Sequence, residues 1–309
     1  MQNKVSWPSV SKPDAFARLS PRVQKANRYL LDCIQQIQNK ELANIVLAVL
    51  EPLHQKDRCW FLQENAAAQR NAPKLCKRLS TPIYYDAWWG APAAADHSHH
   101  CYPGGWLIHN ATNLHALRMV IQTAKDIRDI SINPDALLAG MLLHDSLKPR
   151  LFLWENGELT ADQGECGHHV AALAEAYLRG VPADALCMLA GVHTGWWQNS
   201  EGVAKYLQQA AALIDEPELA RVATLRIDFL PETWIMRQGE AAWYSATKTA
   251  IQEVKTRLHE SVEKLFPEEQ YTAAEWWVLM HCDELQLLRN IADGTFEESV
   301  RKVLLGVTM

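Results

Sequence analysis

Histidine is distributed unevenly along this 309-residue chain. Nine of its twelve histidines, His97, His99, His100, His109, His115, His144, His168, His169 and His193, lie between positions 97 and 193. A single histidine on an apolar helix is usually a packed core residue. A cluster interleaved with carboxylates is different, because imidazole and carboxylate together form the usual ligand set of Zn, Mn, Fe or Ni. The most informative stretch is Leu142-Leu143-His144-Asp145-Ser146-Leu147-Lys148-Pro149. An apolar helix runs into an adjacent His-Asp pair, with a lysine three residues on and then proline. Neighbouring residues on a regular helix point about 100° apart, so they rarely share one ion in mid-helix. At a helix end the backbone loosens, and a carboxylate can bridge two ions while its neighbour binds one. On the dipeptide alone, the plainer reading is a C-terminal helix histidine in contact with the helix dipole.

The series around the pair changes that balance. Tyr102-Pro103-Gly104-Gly105-Trp106-Leu107-Ile108-His109 precedes it, Gly167-His168-His169 and His193-Thr194-Gly195 follow, and Asp228 closes the set. This order of H, HD, H, H and D resembles the HD-domain metal-dependent phosphohydrolase superfamily. More narrowly, Ala91-Pro92-Ala93-Ala94, His99-His100-Cys101-Tyr102 and Gly104-Gly105 resemble the HD module of bacterial OB-plus-HD 3′-to-5′ exoribonucleases. The stretch Ile37-Gln38-Asn39-Lys40-Glu41-Leu42 is similar to the lead-in helix pair of that module. A comparable H-H-x-x-x-G-G stretch occurs in the HD-like segment of some conjugative relaxases. The resemblance covers residues 25–235, and the last quarter of the chain matches no pattern.

The resemblance implies that His109, His144, Asp145 and Asp228 hold one divalent ion, and that Asp145 bridges to a second held by His168 and His193. His168 is preferred to His169 because it directly follows Gly167. Asp228 is preferred to Asp215, which lies before Pro217 and reads as a helix cap, and Asp283 beside His281 is a late alternative. Two ions roughly 3.5–4 Å apart would activate water and clamp both oxygens of an in-line phosphoryl displacement. Mn, Fe, Co, Ni and Mg are not distinguished. Lys148 stands where the family places a lysine after the dyad, and is expected to act with Asp145 and to meet a phosphate oxygen as a point charge. His99 and His100 are expected at the substrate entrance, and Trp196 could stack on a base or roof the pocket. His97 and His115 read as structural. Leu147 stands where the family usually has glycine, Thr194 replaces the second histidine of an H-H-G motif, and residues 1–80 read as helical rather than as an OB-fold.

The elements expected to position these residues are helices. Ser20-Pro21, Asn39 and Asn133-Pro134 are cap signals ahead of apolar stripes, the first opening a helix to about residue 38. Thr160 with Gln163 and Thr272 with Glu275 fit capping boxes, the second for one long helix to about Ile291. A further helix is expected from about residue 240 to 266, its apolar stripe carried by Ile251, Val254, Leu258, Val262 and Leu265. Alternating β-branched runs are nearly absent, apart from one short hairpin around Asn156-Gly157. The expected fold is an all-α helical bundle: an N-terminal helical segment at 1–80, a metal-binding core at 81–235 and a C-terminal helical extension at 236–309.

Composition narrows the function classes. Hydrophobic residues make up 48% and charged residues 21%, as in globular chains, and the net charge of −6 gives no global basic field for nucleic acid or anionic lipid. Seven scattered cysteines without a C-x-x-C pair read as reduced thiols, and no apolar run approaches a membrane span, so a cytoplasmic location is expected. No phosphate-binding Gly-rich loop or nucleophile elbow is present. The activity that the resemblance implies is phosphoester hydrolysis on a phosphorylated small molecule, a nucleotide or a short nucleic acid, with an oligomer possible. The same resemblance leaves two rivals: a di-iron oxygenase acting on a small molecule, as elsewhere in the superfamily, and a catalytically silent module that regulates or scaffolds nucleic-acid machinery.

Overall fold

The computed structural model of the chain describes residues 7–53, 60–94, 99–194, 199–226, 231–241 and 248–306. Local side-chain caps set where the first helices begin. α1 (Pro13–Leu19) ends at Ser20, whose hydroxyl accepts the Val23 N–H (3.3 Å) and opens α2 (Pro21–Gln35). Asn39 does the same for α3 (Lys40–Leu50), accepting from Leu42 N–H at 3.1 Å. Short helices follow: α4 (Phe61–Glu64), α5 (Ala66–Asn71), α6 (Pro73–Ser80) and α7 (Ala87–Gly90). Helices of one or two turns cannot persist on propensity, so tertiary contacts must hold them. Glu175 accepts the Phe61 and Leu62 N–H groups, and Glu165 those of Lys74 and Leu75.

The body is built on α8 (Gly105–Asp126) and α9 (Pro134–Leu143), the latter capped by Asn133. Every residue of α9 from Ala136 to Leu143 is buried, so it is a central helix apolar on all sides. After α10 (Lys148–Leu151) come β1 (Phe152–Glu155) and β2 (Glu158–Ala161), paired antiparallel with Phe152 opposite Ala161. Asn156 and Gly157 both take positive φ, 54° and 92°, as a two-residue hairpin turn requires. This is the one sheet among the described residues, so the fold is all-α with a minor hairpin. α11 (Gly167–Leu178), α12 (Ala183–Gly191), α13 (Asn199–Ile214), α14 (Pro217–Arg226) and α15 (Pro231–Glu240) complete the body. α2 and α15 pack on α8, while α12 packs on α9 and α15. Gly239 permits the α15 approach, because a Cβ there would lie 2.9 Å from the Leu117 Cβ on α8. α16 (Lys248–Glu263), α17 (Tyr271–His281), α18 (Glu284–Ala292) and α19 (Phe296–Leu305) form a C-terminal group, with α17 against α1 and α2.

Several expected boundaries differ. α2 stops at Gln35, and Thr160 lies in β2, so the following helix starts at Gly167 and Gln163 is free for another task. Asp215 takes φ 58°, a left-handed residue at the end of α13, and Glu216 rather than Asp215 precedes Pro217. The long helix from Thr272 is two helices: Cys282 is extended, and Asp283 accepts the Leu285 N–H (2.9 Å) to start α18. The stripe Ile251, Val254, Leu258 and Val262 is buried on α16, whereas Leu265 lies past its end, partly buried against the core. No helix among the described residues is long and apolar enough to cross a membrane.

Candidate metal centre

The dyad sits where α9 ends. His144 is the residue after Leu143, and Asp145 falls in the turn beyond, whose backbone is tied by Ser146 N–H to Leu143 O and Lys148 N–H to Asp145 O. Leaving the helix there lets both side chains reach one point: His144 Nε2 is 3.3 Å from Asp145 Oδ2. Trp106, fully buried on α8, donates its indole N–H to the Asp145 carbonyl (3.0 Å) and locks the turn to the helix that carries His109.

Four imidazoles converge on the Asp145 carboxylate, which is 0% exposed. Oδ2 faces His109 Nε2 (3.2 Å) and His144 Nε2, while Oδ1 faces His168 Nε2 (3.3 Å) and His193 Nε2 (3.6 Å). Lys148 Nζ lies 2.6 Å from Oδ2. Glu240, the last residue of α15, stands 3.6 Å from His109 Nε2 and 3.2 Å from His144 Nε2, and accepts from Asn113 on α8. His109, His144 and Glu240 thus offer ligand atoms within 4.8 Å of one another, as do Asp145, His168, His169 and His193.

The hydrogen bonds behind the ligands show that a cation fits. Met141 O can only accept, so the proton on His144 Nδ1 (2.6 Å) is fixed and Nε2 is the position that takes either a second proton or a metal ion. Gln163 Oε1 accepts from His168 Nδ1 (2.8 Å) and from the His168 backbone N–H. Burial pulls the His168 pKa down to about 4, so near neutrality its single proton sits on Nδ1. Its bare Nε2 then faces a bare carboxylate oxygen, acceptor against acceptor, and neither atom has a hydrogen-bond partner. A cation between them removes that conflict, and imidazole plus carboxylate is a ligand set for Mn, Fe, Co, Ni or Zn.

The remaining electrostatics divide the cluster. Burial would lower His144, but Asp145 and Glu240 override it and hold the imidazole up at about 10. Burial would likewise raise Glu240, but His144 and then His109 hold it down at about 2. Asp145 is driven well below the carboxylate range despite its burial, chiefly by His144 and Lys148. His193 and His169 are both lowered by burial.

His99 and His100 stand beside this centre, their rings 5.0 and 6.1 Å from that of His109, and the three form another group of converging ligand atoms. His100 takes φ 45°, which costs a non-glycine residue roughly 1–2 kcal/mol. His169 packs between His168 and His193, 3.7 Å from each ring. His115 stacks edge-on to Tyr29, and Asp283 pairs with Arg22 outside the cluster. Thr194 donates to the Gly191 carbonyl, and Leu147 is fully buried under the dyad turn. Asp228, Trp196 and His97 lie outside the described residues.

Sequence reasoning missed Glu240. Its signal was Gly239, a small residue next to a carboxylate on an amphipathic helix, which is too common to single out.

Over 105 residues the chain is 30% identical to a dihydroneopterin 2′,3′-cyclic phosphate phosphodiesterase from Methanocaldococcus jannaschii. The match covers 33% of this chain and 42% of that protein. No family model matches, and no solved structure matches. The helical fold, the buried histidine and carboxylate groups and this partial match fit a phosphohydrolase.

Proposed function

We propose that the chain is an HD-type metal-dependent phosphohydrolase that cleaves a phosphoester of a nucleotide or short nucleic acid at a dinuclear site. The observation that carries this reading is the convergence of four imidazoles, two on each oxygen of a fully buried aspartate. His109, His144 and Glu240 with Asp145 Oδ2 would hold one ion, and His168 and His193 with Asp145 Oδ1 the other. Asp228 remains the carboxylate that the family resemblance assigns to the first ion. Divalent ions there supply the charge that activates water and offsets the phosphoryl oxygens.

The chain's own residues do the rest. Met141 O and Gln163 Oε1 hold two imidazoles by Nδ1, so Nε2 is presented without reorganisation. Asp145, pinned through its carbonyl by Trp106, fixes the spacing between the two halves of the site. Lys148 neutralises Asp145 in the metal-free protein, and once cations take that role its ammonium is available to a phosphate oxygen. His99 and His100 form the wall beside His109, and Trp196 is expected from the sequence to stack on a base or roof the pocket. The archaeal relative acts on a cyclic phosphate, which supports a phosphodiester as the class to test first.

The test is metal stoichiometry on protein purified anaerobically without a tag, together with turnover of bis(p-nitrophenyl) phosphate. About two ions per chain and metal-dependent release of p-nitrophenol are expected. No binding after metal is added back sinks the metal site. Iron with O₂ consumption and no phosphoester cleavage replaces hydrolysis by oxygenation.

A further inference from the structure

Resting on the phosphohydrolase reading, we propose that Glu284 of the C-terminal helices is a positioning residue that fixes His100, and with it the His99–His100 wall of the site. Glu284 is 3% exposed and lies 184 residues from His100 in sequence. Its two oxygens accept the His100 backbone N–H at 3.0 and 3.2 Å. The His100 carbonyl accepts the Ala93 N–H at 3.1 Å. It also sits so close to the head of α8 that a Cβ on Gly105 would lie 2.0 Å from it. Both backbone polar groups of His100 are therefore held, at a residue with φ 45° that a free loop would relax.

The carboxylate is not needed by its own helix. Asp283 already caps α18 through the Leu285 N–H, so the Glu284 side chain can turn back toward the site. The point where α17 gives way to α18 is also anchored. Asp283 pairs with Arg22 on α2, and the Ser20 hydroxyl donates to the Met280 carbonyl at 2.8 Å. α2 in turn packs on α8, which carries His109. A continuous chain of contacts thus runs from the C-terminal helices to the wall of the site. Burial, helped by the neighbouring Asp283 charge, pushes the Glu284 carboxyl up to about 7 even though the His100 N–H, Lys255 and Arg22 favour its charged form. The same carboxylate also faces the His100 ring, Nε2 lying 3.8 Å from Oε2, so it holds both the backbone and the imidazole of this residue.

The experiment compares wild type, Glu284→Gln and Glu284→Ala, each loaded with Mn²⁺. It reads amide exchange over residues 99–103, metal stoichiometry, and kcat and KM for bis(p-nitrophenyl) phosphate. Glutamine keeps an accepting oxygen and alanine does not. In Glu284→Ala the His100 amide should exchange at least roughly tenfold faster. Metal content should stay at the wild-type value, and kcat should fall roughly ten- to a hundredfold, as for a misplaced catalytic wall. Glu284→Gln should recover most of both losses. Unchanged exchange at His100 in the alanine variant overturns the proposal, as does faster exchange with kcat intact. If the alanine variant does not fold, the glutamine variant decides: protection and kcat within about threefold of wild type are expected, and wild-type protection with a collapsed kcat overturns the role. A wild type that binds metal without cleaving the ester sinks the phosphohydrolase reading instead, and the exchange data still decide the clamp.

Discussion

Asp145 and Glu175 are both carboxylates with 0% exposure, and they are held in opposite ways. Glu175 faces donors: the Phe61 and Leu62 N–H groups at 3.0 and 2.9 Å, and Arg179 Nε at 2.6 Å. Its charge is answered by the protein, and its task is to start α4 and tie that segment to α11. Asp145 faces four imidazole nitrogens and one lysine, and at least one of those nitrogens, His168 Nε2, presents a lone pair. A buried carboxylate oxygen met only by donors is satisfied by the protein, whereas Asp145 Oδ1, facing the bare His168 Nε2, is an acceptor set against an acceptor and is satisfied by a cation. Burial and pairing alone would not separate the two. The protonation of the neighbours does.

The largest expected consequence is at Asp145. Asp145→Ala should lose both ions, measured by plasma emission, and lower turnover by roughly a thousandfold or more, the several kcal/mol that metal activation supplies. Retention of two ions would show that Asp145 does not hold metal. Glu175→Ala is the mirror experiment. It should cost about 3–5 kcal/mol in urea unfolding by removing the buried ion pair with Arg179 and leaving the Phe61 and Leu62 amides without their acceptor, with metal stoichiometry unchanged. Metal loss there would show that the two carboxylates are not separable. Glu240→Gln should weaken one ion by roughly tenfold or more and leave the second, which titration with Mn²⁺ would resolve.

Metal-free protein should show the pH signature of the cluster in its thermal midpoint. His168 titrates near 4 when folded and near 6.5 when unfolded, so the unfolded chain binds more protons below 6.5 and stability falls as pH drops from about 6.5 to about 4. For His168 alone this is on the order of 3 kcal/mol. His144, held up at about 10, has the opposite sign: its contribution is present below 6.5 and is lost as pH rises toward 10. A midpoint that is flat across both windows would remove the electrostatic account. The smallest expected effect is at His169, where alanine should leave metal content nearly unchanged while His168→Ala loses one ion. Equal loss in both would give His169 a ligand role.

Features decided over two to four residues were legible in the sequence. Ser20, Asn39 and Asn133 accept the amides their positions predicted, and Asn156-Gly157 turns the hairpin. The Thr160 and Thr272 boxes failed because the same spacing of threonine and acid or amide occurs in strands and within helices as well as at helix starts. Thr160 is drawn into β2 by pairing with β1, and Thr272 is already the second residue of α17, behind Gln270 at the cap position.

The chain's residue order by itself determined the helical class, the caps, and a histidine and aspartate series with the resemblance that series carries. Each of these is a local or ordered property of the sequence. Tertiary structure alone decided that Glu240, ninety-five residues past Asp145, faces His109 and His144, and that Glu284 reaches back to His100. Neither contact leaves a periodic or spaced signal. Each depends on how closely one helix packs against another, set at Gly239 by the approach to Leu117 and at Glu284 by a helix break that Asp283 caps.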